Sequence, residues 1–503
     1  MKILTTQQIR ELDQITIRKQ YNNSWELMEK ASEELFHFMK QENIEKSKEI
    51  ILFCGAGNNG GDGLALSRML LKDGFSVTTY LLETQKYSKD NLKNQELVKT
   101  NGGIILPFQK DQDLDLPKNV IVIDALFGSG LNRALGADWK DLFEQIRVSK
   151  PQKVYAIDMP SGLLNDMTMK AEFSCLTADL VLTFQTPKLS LLLPDNKKYV
   201  QSFKVLDIGL DNQTIEEIET SVYFIDKYLI LSFLKTPNIF SHKGTFGRVL
   251  IVGGSYGSIG APVLASKAAM RTGCGLVTCY LPECGYEIIQ SSFNEAMCLT
   301  DKHTDFITNI PDANSFDAVA AGMGLGRNES TKRALLEWLP AMSENTLILD
   351  ADALNILAET EDPFGIIPKG SILTPHPKEL ERLIGTWKDD FEKLEKVRNI
   401  AGQYQIIFVI KGAYSAVVCP DQNIYFNSTG NWGMATAGSG DVLSGIIASL
   451  LAQKYTPIQS AILGVYLHGL AGDSAIKTIH PHSLIASDII QHIGNAYFEM
   501  EKH

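Results

Sequence analysis

Long apolar runs are absent from this sequence: a stretch such as Ser444 to Ala452 falls well short of the about 18 to 20 residues needed to cross a bilayer. No membrane partner is expected. Clusters of Lys and Arg that would track a phosphate backbone are missing too. The 503 residues carry 59 acidic against 47 basic side chains, a formal net charge of −12, which argues against nucleic acid as a partner. Without low-complexity tracts, the whole chain is expected to fold. The start, Met1-Lys2-Ile3-Leu4-Thr5-Thr6, leads into a polar helical pattern with no signal-peptide core, so the expected compartment is the cytoplasm.

No two cysteines are spaced C-x-x-C. The seven (Cys54, Cys175, Cys274, Cys279, Cys284, Cys298, Cys419) are scattered and odd in number, which suits a reducing compartment. Cys274, Cys279 and Cys284 form the tightest group, but no His completes a metal set. Cys279 lies in the apolar stretch Gly275 to Leu281, so small buried side chains are expected there.

Single cores stop growing near ~250 to 300 residues, so this length implies more than one domain. Short Val/Ile/Leu runs recur with room for a helix between them: Ile50 to Cys54, Ser76 to Leu82, Val120 to Asp124, Val154 to Asp158, Leu180 to Phe184. Such runs read as a parallel sheet buried on both faces. The polar, acidic stretch Asp211 to Thr220 reads as a boundary. Beyond it a second series begins: Arg248 to Val252, Leu276 to Leu281, Ala318 to Gly322, Leu347 to Asp350, Ser371 to Thr374, Ile406 to Lys411, Ala416 to Cys419. No motif register repeats between the halves, so two different α/β domains are expected, over residues 1–215 and 222–503.

In the second half, Ala437-Gly438-Ser439-Gly440-Asp441 joins a small-residue loop to an apolar helical run. Glycines there let backbone N–H groups turn toward one point at a helix N-terminus, where the macrodipole favours an anion. Asp441 is the anomaly, since a carboxylate beside phosphate costs Coulomb energy. Either it abstracts a proton from the reacting group, or it caps the helix. Lys411-Gly412-Ala413-Tyr414-Ser415 follows a strand and supplies a cation and a hydroxyl, and is also compatible with a plain β-turn. Strands run into Gly-rich turns at Gly253-Gly254 and at Gly322-Met323-Gly324. Asp350 and Asp352 lie just past another strand, and His376 sits between two prolines. Taken singly, each of these reads as an ordinary loop.

Together and in this order, these segments resemble the ribokinase-like superfamily, and within it the ADP- or ATP-dependent NAD(P)H-hydrate dehydratases, from about His242 to the chain end. The resemblance implies a catalytic, substrate-contacting role for Asp441. It places the adenine nucleotide on Lys411, Gly412, Ala413, Tyr414, Ser415 and Gly440. The hydrated dinucleotide would lie against Ala261, Gly324 or Gly322, and His376, with magnesium beside the nucleotide.

In the first half, Gly55-x-Gly57-x-x-Gly60 matches the dinucleotide fingerprint. Asp62 speaks against an ordinary dehydrogenase module, because it would repel a pyrophosphate approaching the helix N-terminus. Asp124 and Asp158 also end strands and border the crevice expected at the C-terminal edge of the sheet. Three carboxylates converging there would need a cation or a raised pKa; capping of the following helices is the other reading.

Asn58-Asn59-Gly60-Gly61-Asp62-Gly63, Asp124-Ala125-Leu126-Phe127-Gly128-Ser129-Gly130-Leu131 and Asp158-Met159-Pro160-Ser161-Gly162 resemble the NAD(P)H-hydrate epimerase domain over roughly residues 1 to 210. The resemblance implies a Rossmann-like three-layer fold, and a potassium ion held by Asn59, Asp124 and Ser161. Substrate contacts would fall on Asn58, Asn59, Gly60, Gly61, Asp62, on Gly128, Ser129, Gly130, Leu131, Asn132, Arg133, Ala134, and on Asp158, the expected acid/base. Lys188 matches a lysine common in that setting, where a surface salt bridge is the alternative. Leu163 to Ala171 departs from the fuller loop of that family.

The fusion in this order resembles the bifunctional NAD(P)H-hydrate repair enzymes. They act on NADHX and NADPHX with an adenine nucleotide, ADP or ATP, as co-substrate, and a homo-oligomer is expected. The competing reading is a ribokinase-like small-molecule kinase fused to a nucleotide-binding module.

Overall fold

A computed structural model describes residues 1–343 and 345–502. The chain forms two compact units: Lys2–Thr220 with Asp389–Phe391, and Met1 with Ser221–Lys388 and the described residues from Glu392 onward.

In the first unit the described strands are β1 (Glu49–Cys54), β2 (Ser76–Leu82), β3 (Ile105–Phe108), β4 (Ile121–Ala125), β5 (Lys153–Ile157), β6 (Leu180–Phe184) and β7 (Phe203–Leu206). They form one parallel sheet in the order β3-β2-β1-β4-β5-β6-β7. Strand geometry sends alternate side chains to opposite faces. Ile51, Phe53 and Val122 enter one core with Leu142, Phe143 and Ile146 of the helix Lys140–Val148. Ile50, Leu52 and Ile123 enter the other with Leu64, Leu66 and Leu70 of the helix Asn58–Lys72. Both faces are covered, which is why these strands read as unbroken apolar runs. The first connections step outward from β1 to β3, and the chain then crosses back to β4 on the other side of β1. The C-terminal ends of β1 and β4 therefore flank the topological switch point, where open α/β sheets bind ligands.

Two glycines make the turn after β1 possible. A Cβ on Gly55 would lie 2.0 Å from the carbonyl oxygen of Leu126, and one on Gly60 would lie 1.8 Å from that of Gly55. Backbone meets backbone at both points, so no other residue fits without displacing the turn.

The second unit continues with β8 (Val222–Phe224), β9 (Arg248–Val252), β10 (Leu276–Leu281), β11 (Met297–Thr300), β12 (Ala318–Ala321), β13 (Leu347–Leu349), β14 (Ile372–Leu373), β15 (Ile407–Ile410), β16 (Ala416–Val418) and β17 (Ile424–Phe426). Their order is β11-β10-β9-β12-β13-β14-β15-β16-β17-β8. The sheet is parallel except where β16 pairs antiparallel with β15 and β17. Its core draws on the helices Gly260–Thr272, Ser439–Ala452, Pro457–Ala475 and Ala486–Glu501. Cys279 is buried in this core with its thiol 2.7 Å from Ser266 Oγ, as expected of a small core side chain. Among the described residues, no helix is long and apolar enough to cross a membrane.

Candidate functional sites

In the first unit the crevice is built on Asp158, the residue after β5. It holds a left-handed backbone (φ +64°), a conformation that costs energy for a residue with a side chain and recurs where a group must be aimed. Its Oδ2 accepts from the Ser129 amide at 2.8 Å. Its Oδ1 lies 2.7 Å from Lys188 Nζ, and both side chains are nearly buried, at 11% and 1% exposed. Burial opposes ionisation of Asp158, but the Lys188 charge and the hydrogen bonds outweigh it and hold the carboxyl below its usual range. The surface-salt-bridge alternative for Lys188 is thereby corrected: the pair is internal, and Lys188 also donates to the Phe184 carbonyl. Lys188→Met strands a buried carboxylate, a loss typically worth about 3–5 kcal/mol. A fall of that size in the unfolding free energy of the first unit is expected from chemical denaturation, and an unchanged midpoint would refute a structural role for the pair.

Asp62 lies in the second turn of the helix Asn58–Lys72, buried. Burial first, then the nearby charges of Asp158 and Asp13, push its pKa well up. Asp62 and Asp158 therefore share one electrostatic neighbourhood, joined by a residue that no motif had marked, Asp13.

Asp124 has its own set of bonds. Fully buried, its Oδ1 accepts from Ser161 Oγ (2.6 Å) and the Leu126 amide (3.1 Å), and its Oδ2 from the Ser161 amide (2.7 Å). Burial raises its pKa to about 6 in spite of these bonds. Asp62, Asp158 and Asp13 act on one another, Asp62 and Asp124 both act on Cys54, and Asp124 is clamped to the loop after β5. Asn59 reaches the same crevice: a Cβ on Gly128 would lie 2.9 Å from both Asn59 Oδ1 and Asp158 Oδ2. The Asn59 amide nitrogen is buried without a partner. An orphaned buried donor costs about 1–3 kcal/mol and calls for a ligand acceptor. Asn58 is exposed, Gly60 and Gly61 are buried in the helix, and Gly128 to Leu131 form a turn closed by Leu131 N–H to Gly128 O at 3.1 Å. Asn132 and Arg133 face solvent and Ala134 is half-buried.

In the second unit, Gly438, in a left-handed conformation, is the N-cap of the helix Ser439–Ala452, with no side-chain cap bond. Asp441 follows in the first turn, so the capping alternative for it fails. Burial first, then Asp350, raises its pKa to about 7, with Lys411 opposing. Lys411, the first residue of the β15–β16 turn, bonds Asp350 Oδ1 at 2.8 Å, and Ser444 Oγ donates to Asp350 Oδ2 at 2.7 Å. Buried Asp350 thus ties the Lys411 turn to the helix that carries Asp441. A Cβ on Gly440 would lie 3.3 Å from Lys411 Nζ, so Gly440 and Lys411 are neighbours. In the same turn Gly412 and Ala413 are exposed, Tyr414 is half-buried, and Ser415 Oγ closes the loop onto the Gly412 backbone.

His376 caps the helix Pro377–Ile384, its ring accepting from the Lys378 and Glu379 amides, while Glu379 stands 3.8 Å from Lys411 Nζ. Gly324 and Ala261 adjoin, a Cβ on Gly324 falling 3.3 Å from that of Ala261. Gly322 instead packs on the backbone, where a Cβ would meet the Asp350 carbonyl at 1.9 Å. Sequence reading passed over Asp350 as the pin of this site and His468 behind Ser439. The His468 ring lies 3.3 Å from Ser439 Oγ, and burial lowers its pKa to about 4.

Comparison with known proteins matches both regions. Residues 24–190 fit the family described as YjeF-related protein N-terminus, and residues 249–495 the family described as NAD(P)H-hydrate dehydratase. A ribokinase-like superfamily protein from Enterococcus faecalis V583 superposes with a TM-score of 0.50 at 26% identity, covering 56% of this chain and 98% of its own. The bifunctional NAD(P)H-hydrate repair enzyme Nnr of Moorella thermoacetica is 34% identical over 100% of this chain and 98% of its own. That of Dictyoglomus turgidum is 34% identical over 98% and 97%, and that of Escherichia coli 31% over 95% and 91%. With both regions matched in one chain and the likeness running end to end, this protein belongs to the bifunctional NAD(P)H-hydrate repair enzymes.

Proposed function

We propose that the two sites divide the repair of hydrated NADH and NADPH: the first unit interconverts the R and S hydrates, and the second dehydrates the S form at the expense of ADP or ATP. One observation carries this reading: each matched region holds its own positioned carboxylate, Asp158 buried and aimed by the Ser129 amide and Lys188, and Asp441 in the first turn of the helix that Asp350 ties to Lys411.

In the second unit, Asp441 takes the proton from the hydroxyl of the S hydrate as that oxygen attacks the terminal phosphoryl group of the nucleotide. The amides at the start of the helix Ser439–Ala452 face the transferring charge, a preorganised electrostatic contribution. Phosphate then leaves in place of hydroxide, and loss of a ring proton restores the conjugated double bond. Lys411 and the turn to Ser415 hold the nucleotide. Ala261, Gly324 and His376 border the dinucleotide. Magnesium bound with the nucleotide would supply positive charge to its phosphates.

In the first unit, Asp158 exchanges protons with the hydroxyl on the hydrated carbon. Potassium would be held by Asn59 Oδ1, Asp124 and Ser161 Oγ, an amide, carboxylate and hydroxyl oxygen set that suits a hard monovalent cation. When bound, the ion supplies a fixed positive charge beside the substrate. With Asn59 Oδ1 turned to the ion, its unpaired amide nitrogen is left for the substrate. The cytoplasm is the compartment we assign, since seven unpaired cysteines suit a reducing environment, and a homo-oligomer is expected.

Mixed R and S hydrates incubated with ADP or ATP should return fully to reduced cofactor, read as recovered NADH absorbance. The base must be ionised to act, so the kcat/KM of dehydration is expected to fall as pH drops below about 7. A stable phosphoester product, or a profile flat from pH 5.5 to 8, would favour a small-molecule kinase or remove Asp441 as the base.

A further inference from the structure

Asp13 belongs to none of the recognised motifs. It lies on the helix Thr6–Gln20, held at its start by a capping box on Thr5. One turn before it, Arg10 donates to the Gly130 carbonyl at 2.5 Å, so this face of the helix borders the Gly128–Leu131 turn. A cavity of about 60 Å³ is lined by Asp13, Asp158 and Lys188 together with apolar side chains including Leu12 and Phe184. That volume is far too small for a nicotinamide ring, yet it suits one or two waters, each of which takes about 30 Å³ in the liquid.

Epimerising a hydrated enamine carbon calls for a proton to be given and then taken back. The hydroxyl leaves as water once protonated, its C–O bond breaking while the ring nitrogen lone pair forms an iminium. Water then adds to the other face and releases a proton. Asp158, paired with Lys188, is a poor place to keep that proton between steps.

Resting on the reading of Asp158 as the acid/base of epimerisation, we infer that Asp13 is the proton store of this centre, passing a proton to Asp158 through a water in the shared cavity and receiving it back after re-addition. Asp13 gives one proton to the water as the water gives one to Asp158, and Asp158 protonates the departing hydroxyl; the return path reverses each transfer, so no other reactant is consumed. Asp13 touches no substrate and is a positioning residue for the proton. Its surroundings agree. Burial first, then the negative charge of Asp158, lifts its pKa to about 7 against the opposing charge of Lys188, and Asp62 adds a third carboxyl to the group. Among the described residues it has no hydrogen-bond donor of its own, which leaves its oxygens to a water.

The test is epimerisation of the purified R hydrate by the full chain without nucleotide, followed by chromatographic separation of R and S. A store with a pKa near 7 gives the wild-type kcat an alkaline limb near pH 7. Asp13→Asn should lower kcat ~10- to 100-fold, within the range of acid–base contributions, abolish that limb, and leave KM within about twofold. Unchanged kcat with the limb intact, or a raised KM at full kcat, overturns the proposal. A chemical-denaturation transition of the first unit with the wild-type midpoint shows that the variant is folded there, since dehydration reports only on the second unit. If Asp13→Asn does not fold, Asp13→Glu replaces it, and a limb that stays in place overturns the proposal equally. Asp158→Asn in parallel separates the two ideas: epimerisation surviving that change sinks the role of Asp158 itself, whatever Asp13 does.

Discussion

Replacing Asp441 with asparagine is expected to lower nucleotide-dependent dehydration of the S hydrate by about 10²- to 10⁴-fold, the range that a positioned general base contributes. The amide keeps the shape of the first turn and cannot accept the hydroxyl proton. Asp350, Lys411 and Ser444 remain bonded to one another, so nucleotide binding should persist and the loss should fall on kcat. Epimerisation, carried by the other unit, should be untouched. Absorbance at the NADH band, followed after adding ADP or ATP to purified S hydrate, measures the first quantity, and separation of R from S measures the second. Dehydration at the wild-type rate would end the case for Asp441.

The converse experiment has an effect of similar size. Asp158→Asn removes the group aimed by its left-handed backbone, by the Ser129 amide and by Lys188. Epimerisation should fall by about 10²-fold or more. In a mixed hydrate given nucleotide, repair should then stop once the S fraction is consumed. Addition of wild-type protein should restart it, which distinguishes a lost epimerase from a spent nucleotide. Complete repair at the wild-type rate would remove Asp158 from the mechanism.

Much of this architecture was legible in the sequence, because parallel strands buried on both faces leave runs that no other element imitates. Ile50 to Cys54 and Ile406 to Lys411 are examples. The edge strands β3, β7, β8 and β11 were passed over, being short and partly exposed, and so was the three-residue β17 beside β8: Ile105–Phe108 holds a proline, and Met297 and Leu299 face outward. The motif aspartates were equally visible, as Gly-rich turns announce them. Their partners were not. Lys188 was marked by the resemblance, but its partner was not: only the fold places its Nζ 2.7 Å from Asp158 Oδ1. Asp13 and His468 sit in ordinary helical patterns, and only tertiary packing brings them to the sites. The bonding of the three carboxylates was equally hidden: the loop after β5 folds Ser161 back onto Asp124, and no strand pattern announces that contact.

The close backbone approaches at Gly55 and Gly60 have a bearing on affinity. A turn whose backbone already packs against the Leu126 backbone and against itself has few other shapes to adopt, so a ligand arriving beside Asn58 and Asn59 need not organise it. Little configurational freedom remains there to be lost on association, and the contacts made at that turn can appear almost undiminished in the binding free energy.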